Sequence, residues 1–367
     1  MRVSSVTVNV VGRWQTEVMR DLGVSDDLVE WWGSQQAARD NPLLNPHVLS
    51  CWYDGLEEGG SELRIICLKR DGEVVAALPL YKARGRYRTL LRTYASSMDV
   101  VSIPDADVSA RLPGWLDQLN IANLYRFPEN SPIVQGIDEH PRWALQSTIP
   151  APYVDLTGGI DSVRSQWSTS FRKSLRRRAR RLEELGEVAY TDHPRPDQVS
   201  DVLTEGLRLE ASGWKGRDGV AVLLQPGYES WFRSVAEVAG QMGWLRLSSL
   251  YLDDRMIAFS FDLEYGHRRH SLMSAYDEGQ EISRLSPGNA LVDRILETSA
   301  DRGMLTYELG YGGQQWKYDW TSAARQVHDI LILGAGPVGR ALSMIRRVKS
   351  QRSARTSSAR STSSGEL

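Results

Sequence analysis

Three short stretches of the chain carry residue types suited to moving a group onto a nucleophile. The first is Glu210-Ala211-Ser212-Gly213-Trp214-Lys215-Gly216, which sets an acid, an aromatic ring and a cation close together at a helix end. A carboxylate there is the right type to take a proton from an ammonium or a water. The second is Ser286-Pro287-Gly288-Asn289. Ser286 suits an N-cap and Pro287 the first helical position. Gly288 has no side chain to block a ligand, so first-turn N–H groups and the positive dipole end can receive a phosphate. The third runs Tyr307-Glu308-Leu309-Gly310-Tyr311-Gly312-Gly313 and continues through Trp316-Lys317-Tyr318-Asp319-Trp320. A strand ending in glycines lets backbone come close to a ligand or a neighbouring strand. Lys317 and Tyr318 add a cation and a phenol. Taken singly, each stretch also fits ordinary structure: a capped helix, a glycine-rich turn with a solvated lysine, a helix end with a solvated acid.

The elements that must position these residues are announced by a repeat. Residues 63–96 and 245–278 align without a gap at an offset of 182, and Leu63, Arg64, Leu68, Asp71, Ala76, Arg86, Leu90 and Tyr94 recur as Leu245, Arg246, Leu250, Asp253, Ala258, Arg268, Leu272 and Tyr276. A repeat of this length implies two copies of one domain. After Tyr94 and Tyr276 the copies diverge: Ala95 stands where Asp277 does, and the Ser-Pro-Gly stretch exists only in the second. Chemistry is therefore expected in the second copy, and an acceptor-shaping surface in the first.

Length and composition agree. A chain of 367 residues holds two domains of ordinary size, and 41% hydrophobic residues with 12 Trp give each a core. A net charge of −2 argues against a protein generally attracted to nucleic acid, and DNA is not an expected partner. Cys51 and Cys67 form neither a disulfide framework nor a metal quartet. With no signal-peptide pattern and no run of about 18 apolar residues, the expected location is cytoplasmic.

The pattern predicts a strand over 3–11, an amphipathic helix up to residue 40, a turn cluster over 41–47, and a helix opened by Pro46 that carries Trp52 and Tyr53. A hairpin follows over 63–68 and 73–81 around Arg70-Asp71-Gly72, with a further strand at 89–94. Helix near 111–119 and strand near 121–125 complete the first half. The Pro- and Gly-rich stretch 149–159 is expected to break any element and cross between domains. In the second half, helices are expected over 169–185, 196–214, 226–242 and 285–302. A hairpin over 244–252 and 256–265 leads to strands at 269–276 and 304–310, with 325–333 as the last strand of the second sheet. Each half thus reads as α+β, a mixed and mainly antiparallel sheet flanked by helices. The expected division is 1–150, 151–340 and a disordered tail over 350–367.

The three stretches, in this order and at these distances, resemble the acetyltransferase domain of the BioF2-like and CelD-like kind. That branch of the GNAT N-acyltransferase superfamily is related to the Fem peptidyltransferases. The resemblance rests on Glu210, Trp214-Lys215-Gly216, Ala258-Phe259, Tyr276-Asp277, Ser286-Pro287-Gly288, Glu308, Gly310, Gly312, Lys317 and Trp320, and covers about residues 160–335. The first half matches more loosely through Asn41-Pro42-Leu43-Leu44 and Ala76-Ala77-Leu78-Pro79-Leu80. The Arg/Gln-x-x-Gly-x-Gly/Ala pyrophosphate signature of ordinary GNAT enzymes is absent, and the Ser-Pro-Gly stretch stands in its place. The resemblance implies two tandem GNAT-like domains, the first degenerate. It implies N-acyl transfer from a thioester donor to an amine acceptor such as an amino sugar, amino acid or peptide, in exopolysaccharide, cell-envelope or natural-product biosynthesis. No cofactor is held permanently; acyl-CoA or an acyl carrier protein is the co-substrate. Glu210 or Asp277 would be the base, and Lys317 or Tyr318 the polariser or the proton donor to the leaving thiolate. Ser286, Pro287, Gly288, Asn289, Trp214 and Lys215 would hold the donor. A Fem-like aminoacyl-tRNA-dependent transferase is the alternative, and a non-catalytic module binding a carrier protein or nucleotide-sugar is a third.

Two other signals are weaker. Gly334-Ala335-Gly336-Pro337-Val338-Gly339 fits a dinucleotide fingerprint, but no second strand or acid follows. His267 and His270 have no further ligand at metal spacing. The helix bearing Arg164, Arg172, Lys173, Arg176, Arg177, Arg178, Arg180 and Arg181 is either a solvated face or a polyanion contact through Arg172–Arg181.

Overall fold

In the computed structural model, residues 5–20, 26–35, 41–51, 62–90 and 94–344 are described, with backbone alone for 5–10 and 26. The first half comprises β1 Ser5–Val11, β2 Trp14–Met19, α1 Asp26–Ser34, α2 Pro46–Ser50, β3 Glu62–Arg70, β4 Glu73–Ala83, β5 Arg86–Thr89, β6 Val101–Ser102, α3 Ala106–Leu116, β7 Ile121–Pro128, α4 Pro132–Gln135 and β8 Trp143–Asp155. The second comprises α5 Gly159–Gln166, α6 Thr169–Leu185, β9 Val188–Thr191, α7 Val199–Ser212, α8 Trp214–Arg217, α9 Tyr228–Gln241, β10 Leu245–Leu252, β11 Arg255–Tyr265, β12 Arg268–Tyr276, α10 Gln280–Ser283, α11 Pro287–Asp301, β13 Thr306–Glu308, α12 Gln315–Tyr318 and β14 Ala324–Leu333. The fold is α+β, as expected. The segment after β1 is a strand rather than helix, because β2 pairs antiparallel with both β1 and β3. Trp52, Tyr53 and the 350–367 tail lie outside the described residues.

The sequence repeat is a structural repeat down to its irregularities. In β3–β4 the register shifts just after Leu68↔Ala76, and in β10–β11 it shifts just after Leu250↔Ala258. Both hairpins therefore carry a bulge at the same aligned position, which sets the same local twist. Asp71 and Gly72 both take positive φ at the first turn, the demand of a tight two-residue hairpin. The third strand is parallel to the fourth in each copy: β5 pairs with β7, and β12 with β13.

The strand order is β1-β2-β3-β4-β5-β7-β14-β8-β13-β12-β11-β10-β9, with β6 beside β4. Two expectations are corrected here. Residues 149–155 are not a break but the end of β8, which pairs with β14 and then with β13. Pro150 and Pro152 are tolerated because a strand residue's N–H and C=O point to the same side. Their missing donors face residues 309–312, which need only carbonyls: Gly312 N–H donates to Pro150 O at 2.7 Å and Leu309 N–H to Pro152 O at 3.0 Å. Strand β14 does not close the second sheet. It lies between β7 and β8, inside the first half's sheet. Each half thus lends its final strand to the other, and the sheet is continuous.

Packing joins the halves as well. One apolar core runs from Trp32, Leu43 and Val48 through Leu78 and Leu124 to Trp231, Phe232 and Phe261. At its centre Tyr94 meets the rings of Tyr228, Trp231 and Phe232 at 5.3, 5.8 and 4.9 Å. A second core, on the other face of the second sheet, holds Trp167, Ile257, Ile295, Tyr307 and Trp320.

Candidate functional site

Strands β12 and β13 are paired at only three positions, Arg268↔Thr306, Arg269↔Tyr307 and His270↔Glu308. Beyond them the chain after β13 follows β8, turning through Gly310 and Gly312 at φ 75° and 95°, conformations that side chains rarely tolerate. Strand β12 runs on to Tyr276 paired with β11 alone. The strands splay into a V, and the V opens into a cleft of about 820 Å³. Its closed end is held by Arg269, fully buried, whose Nε donates to Asp262 at 2.7 Å and Nη2 to Asp192 at 2.8 Å.

Lys317 of α12 lines this cleft and is 4% exposed. Its Nζ donates to the Tyr311 carbonyl at 2.6 Å, and no carboxylate pairs with it among the described residues. Burial alone pushes its pKa down to about 8, the direction expected for an amine withdrawn from water. Near neutrality it can therefore both accept and return a proton.

Glu210 and Lys215 line the cleft from the side of β12. Glu210 sits at the buried end of α7, where Oε1 accepts from Lys215 Nζ at 3.0 Å and Oε2 from Val222 N–H at 2.8 Å. Lys215 also donates to the carbonyl of Ser274 on β12 at 3.0 Å. The acid thus ties α8 and the loop after it to the splayed strand. Asp277 does not line the cleft. It accepts from Gly279 N–H and pairs with Arg255 at 3.0 Å. Its neighbour Glu278 takes the cleft position instead, accepting from Trp214 N–H at 3.0 Å and from Arg217. Burial opposes the Glu278 charge, but the Trp214 N–H and Arg217 together hold its pKa below the usual range. Tyr318 is exposed and also lies outside the lining.

Ser286, Gly288 and Asn289 reach the cleft at the start of α11, with Pro287 buried behind them. Ser286 occupies the N-cap position but in left-handed backbone (φ 50°), and its side chain caps nothing. Its carbonyl instead accepts from Asn289 N–H at 2.9 Å. Of the two donors expected to meet a phosphate, Asn289 N–H is therefore occupied and Gly288 N–H is open. The nearest atoms a Cβ at Gly288 would meet belong to Tyr276, at 3.5 Å.

Two residues were missed by sequence reasoning. Tyr94 lines the cleft from the first half; burial, then Glu210, pushes its hydroxyl above the usual phenol range, so it stays protonated. Tyr311 lines it too, with the Arg126 guanidinium over its ring. The recurrence of Tyr94 as Tyr276 at the repeat's end was the available signal. Among the described residues, no group of His, Cys, Asp and Glu could hold a metal, and no helix is long and apolar enough to cross a membrane.

The basic helix is α6. Arg172 to Arg181 present seven cations, and Arg180–Glu184 is the one ion pair they make among the described residues. Its N-terminal Phe171 packs on Trp320 at 5.0 Å, just after α12. The cations therefore begin beside the element that carries Lys317.

A splay between parallel strands, with a helix N-terminus at its mouth, defines an acyltransferase fold of the GNAT class. A family model for the acetyltransferase (GNAT) domain matches residues 7–103 and 169–318. The chain belongs to that family, and its two halves are tandem GNAT domains. No curated protein matches the chain. Among solved structures, FemX is 10% identical, covering 86% of this chain and 96% of its own, with a TM-score of 0.54. L-PGS from Bacillus licheniformis is 13% identical over 88% and 96%, with a TM-score of 0.53. The C-terminal domain of a putative lysylphosphatidylglycerol synthetase from Agrobacterium fabrum is 12% identical over 86% and 93%, with a TM-score of 0.51. At these identities the likeness is one of fold, and it spans both halves.

Proposed function

We propose that the chain is an N-acyltransferase of the BioF2-like and CelD-like kind, moving an acyl group from a thioester donor to an amine. The observation that carries this reading is Lys317, a buried lysine with a pKa of about 8, standing at the open end of the β12–β13 splay. The second GNAT domain, within 151–340, is the catalytic one; the first, within 1–150, lines the cleft with Tyr94 and braces Tyr311 with Arg126.

The acceptor arrives as an ammonium. Neutral Lys317 takes its proton while the Tyr311 carbonyl fixes the orientation of Nζ. The amine nitrogen attacks the thioester carbon, the C–S bond breaks, the leaving thiolate takes a proton back from Lys317, and the nitrogen's second surplus proton passes to water as the neutral amide forms. A thiol of pKa about 8.5 and an amine of about 8 are well matched for that exchange. The pantetheine arm lies along the open edge of β12, and the donor phosphates meet Gly288 N–H and the positive end of α11. Glu210 and Lys215 hold the acceptor wall rather than moving protons, because both oxygens of the acid are already engaged. Asp277 and Tyr318 receive no role.

The basic face of α6 favours an anionic carrier for the donor, an acyl carrier protein or an aminoacyl-tRNA as in the Fem group. Thiol release from acyl-CoA and acyl-carrier donors with a panel of amines tests the main reading. Turnover that requires aminoacyl-tRNA and ignores every thioester would establish the second.

A further inference from the structure

Four aromatic side chains are conspicuous for lying outside the core. Trp214 is 47% exposed, Tyr276 41%, Trp316 40% and Tyr318 38%, and no other Trp, Tyr or Phe among the described residues is as exposed. Every other described tryptophan is buried or half-buried. Three of the four, Trp214, Tyr276 and Trp316, line the one cleft, and Tyr318 follows them on α12. None makes a ring–ring contact among the described residues, whereas the core aromatics pair repeatedly. Leaving large rings in water forgoes stabilisation that burial would provide, and a clustered apolar surface of this kind marks a binding site.

Three of the four stand beside groups of the proposed chemistry. Trp214 is held by its backbone N–H on Glu278 and adjoins Lys215. The Tyr276 ring borders Gly288. The Trp316 ring centroid lies 5.8 Å from Lys317 Nζ. Around the rings, the cleft is edged with Glu278, Gln314, Asn289 and Ser283. The donor's nucleobase can stack on the Tyr276 ring, which lies beside Gly288 at the proposed phosphate end. Trp214, held on Glu278 and adjoining Lys215, leaves a further ring for the acceptor. That acceptor should be apolar on its faces, polar around its rim, and carry an amine. A linear polyamine or a lysine side chain has no face to stack.

We infer that the acceptor is an amino sugar, its ring stacked on Trp214 and its hydroxyls met by the polar rim. The inference rests on the N-acyl-transfer reading. The bond formed is sugar N–acyl carbon, the bond broken is acyl C–S, and one amine proton ends on the thiol.

The test uses the full chain with acetyl-CoA, comparing glucosamine and its β-linked trimer with butylamine and spermidine by thiol release. The expected result is turnover of the amino sugars. In Trp214→Ala their KM should rise about tenfold more than that of butylamine, the effect of one lost stacking contact, while Trp214→Phe stays within about threefold of the parent. Intrinsic fluorescence, titrated with the glucosamine trimer in the absence of donor, should saturate in the parent and respond about tenfold more weakly in Trp214→Ala. Linear amines turned over as well as the sugars, with no selective effect of Trp214→Ala, would overturn the sugar inference and leave N-acyl transfer standing. No thiol release with any amine, from acetyl-CoA or from an acetylated carrier protein, would overturn the transfer reading; the fluorescence titration then decides the sugar site by itself, and a flat response rejects it.

Discussion

The guanidinium of Arg126 lies 3.2 Å from the centre of the Tyr311 ring, and the carbonyl of that same Tyr311 accepts a hydrogen bond from Lys317 Nζ. A strand of the first half thereby holds the loop that orients the proposed catalytic amine of the second. Arg126 is buried, at φ 63°, with its N–H on Asp329 at 3.0 Å and Nη1 on the Ala95 carbonyl at 2.7 Å. A non-glycine residue held in left-handed backbone is costly and persists where its surroundings over-determine it.

Arg126→Ala is expected to lower kcat about tenfold with a smaller change in donor KM. A desolvated cation–π contact is worth about 2 kcal/mol, and its loss frees the Tyr311 carbonyl. Arg126→Lys should recover little, since an ammonium does not stack as a planar fork does. Steady-state kinetics on folded variants check this, and parent-like kcat would break the link.

Activity should rise with pH through the Lys317 pKa. The neutral amine is the base, and it is populated above about pH 8. The kcat/KM profile should show an ascending limb there, and Lys317→Met should lose the limb and at least about a hundredfold in rate. Lys317→Arg, always charged, should be as inactive as Met.

The same lysine should cost stability. Its folded pKa, about 8, is depressed from 10.5. Between those values the unfolded chain binds more protons, so the parent's stability rises with pH across that window. Lys317→Met removes the penalty, up to about 3 kcal/mol below pH 8, less the lost bond to Tyr311. Denaturant titrations should find the variant more stable at pH 7 and the gap closing by about pH 10.5.

Glu210→Gln separates structure from catalysis. A general base replaced by its amide loses about a hundredfold or more. Here the amide oxygen can still accept from Val222 N–H, so a loss under about tenfold is expected, with an unchanged pH profile. Glu210→Ala leaves that buried N–H without its acceptor and Lys215 without its carboxylate, and should destabilise by about 2 kcal/mol.

Gly288→Ala should fold normally, because the added Cβ meets only an ordinary contact with Tyr276. A rise in donor KM of about tenfold, with acceptor KM unaffected, is expected if phosphate approaches that N–H. An unchanged donor KM would move the phosphate site elsewhere.

Much of this was legible in one dimension. The offset of 182 located two homologous hairpins, and the period of their apolar residues located the strands. Glu210, Trp214, Lys215, Ser286, Gly288, Asn289 and Lys317 could be drawn to one site because their types suit the chemistry. Asp277 could not be told from Glu278, since adjacent residues leave a strand end in opposite directions and only the position of Arg255 shows which one turns away. Tyr94 and Arg126 lie far from the cleft residues in sequence, and nothing local marks them. Ser286 has the right type for a cap, but its left-handed backbone turns the hydroxyl from the helix.

By itself the sequence determined the duplication and most element types, and pointed to the second half for the proposed chemistry, because local propensity and side-chain period are properties of neighbouring residues. Only the tertiary structure decided where the strands go. The exchange of β8 and β14 between halves depends on long-range pairing energy that no local pattern encodes. The departure of residues 309–312 toward Pro150 and Pro152 opens the splay. Burial of Lys317 in the opening then lowers its pKa, which suits a residue expected as polariser or proton donor to the proposed role of base.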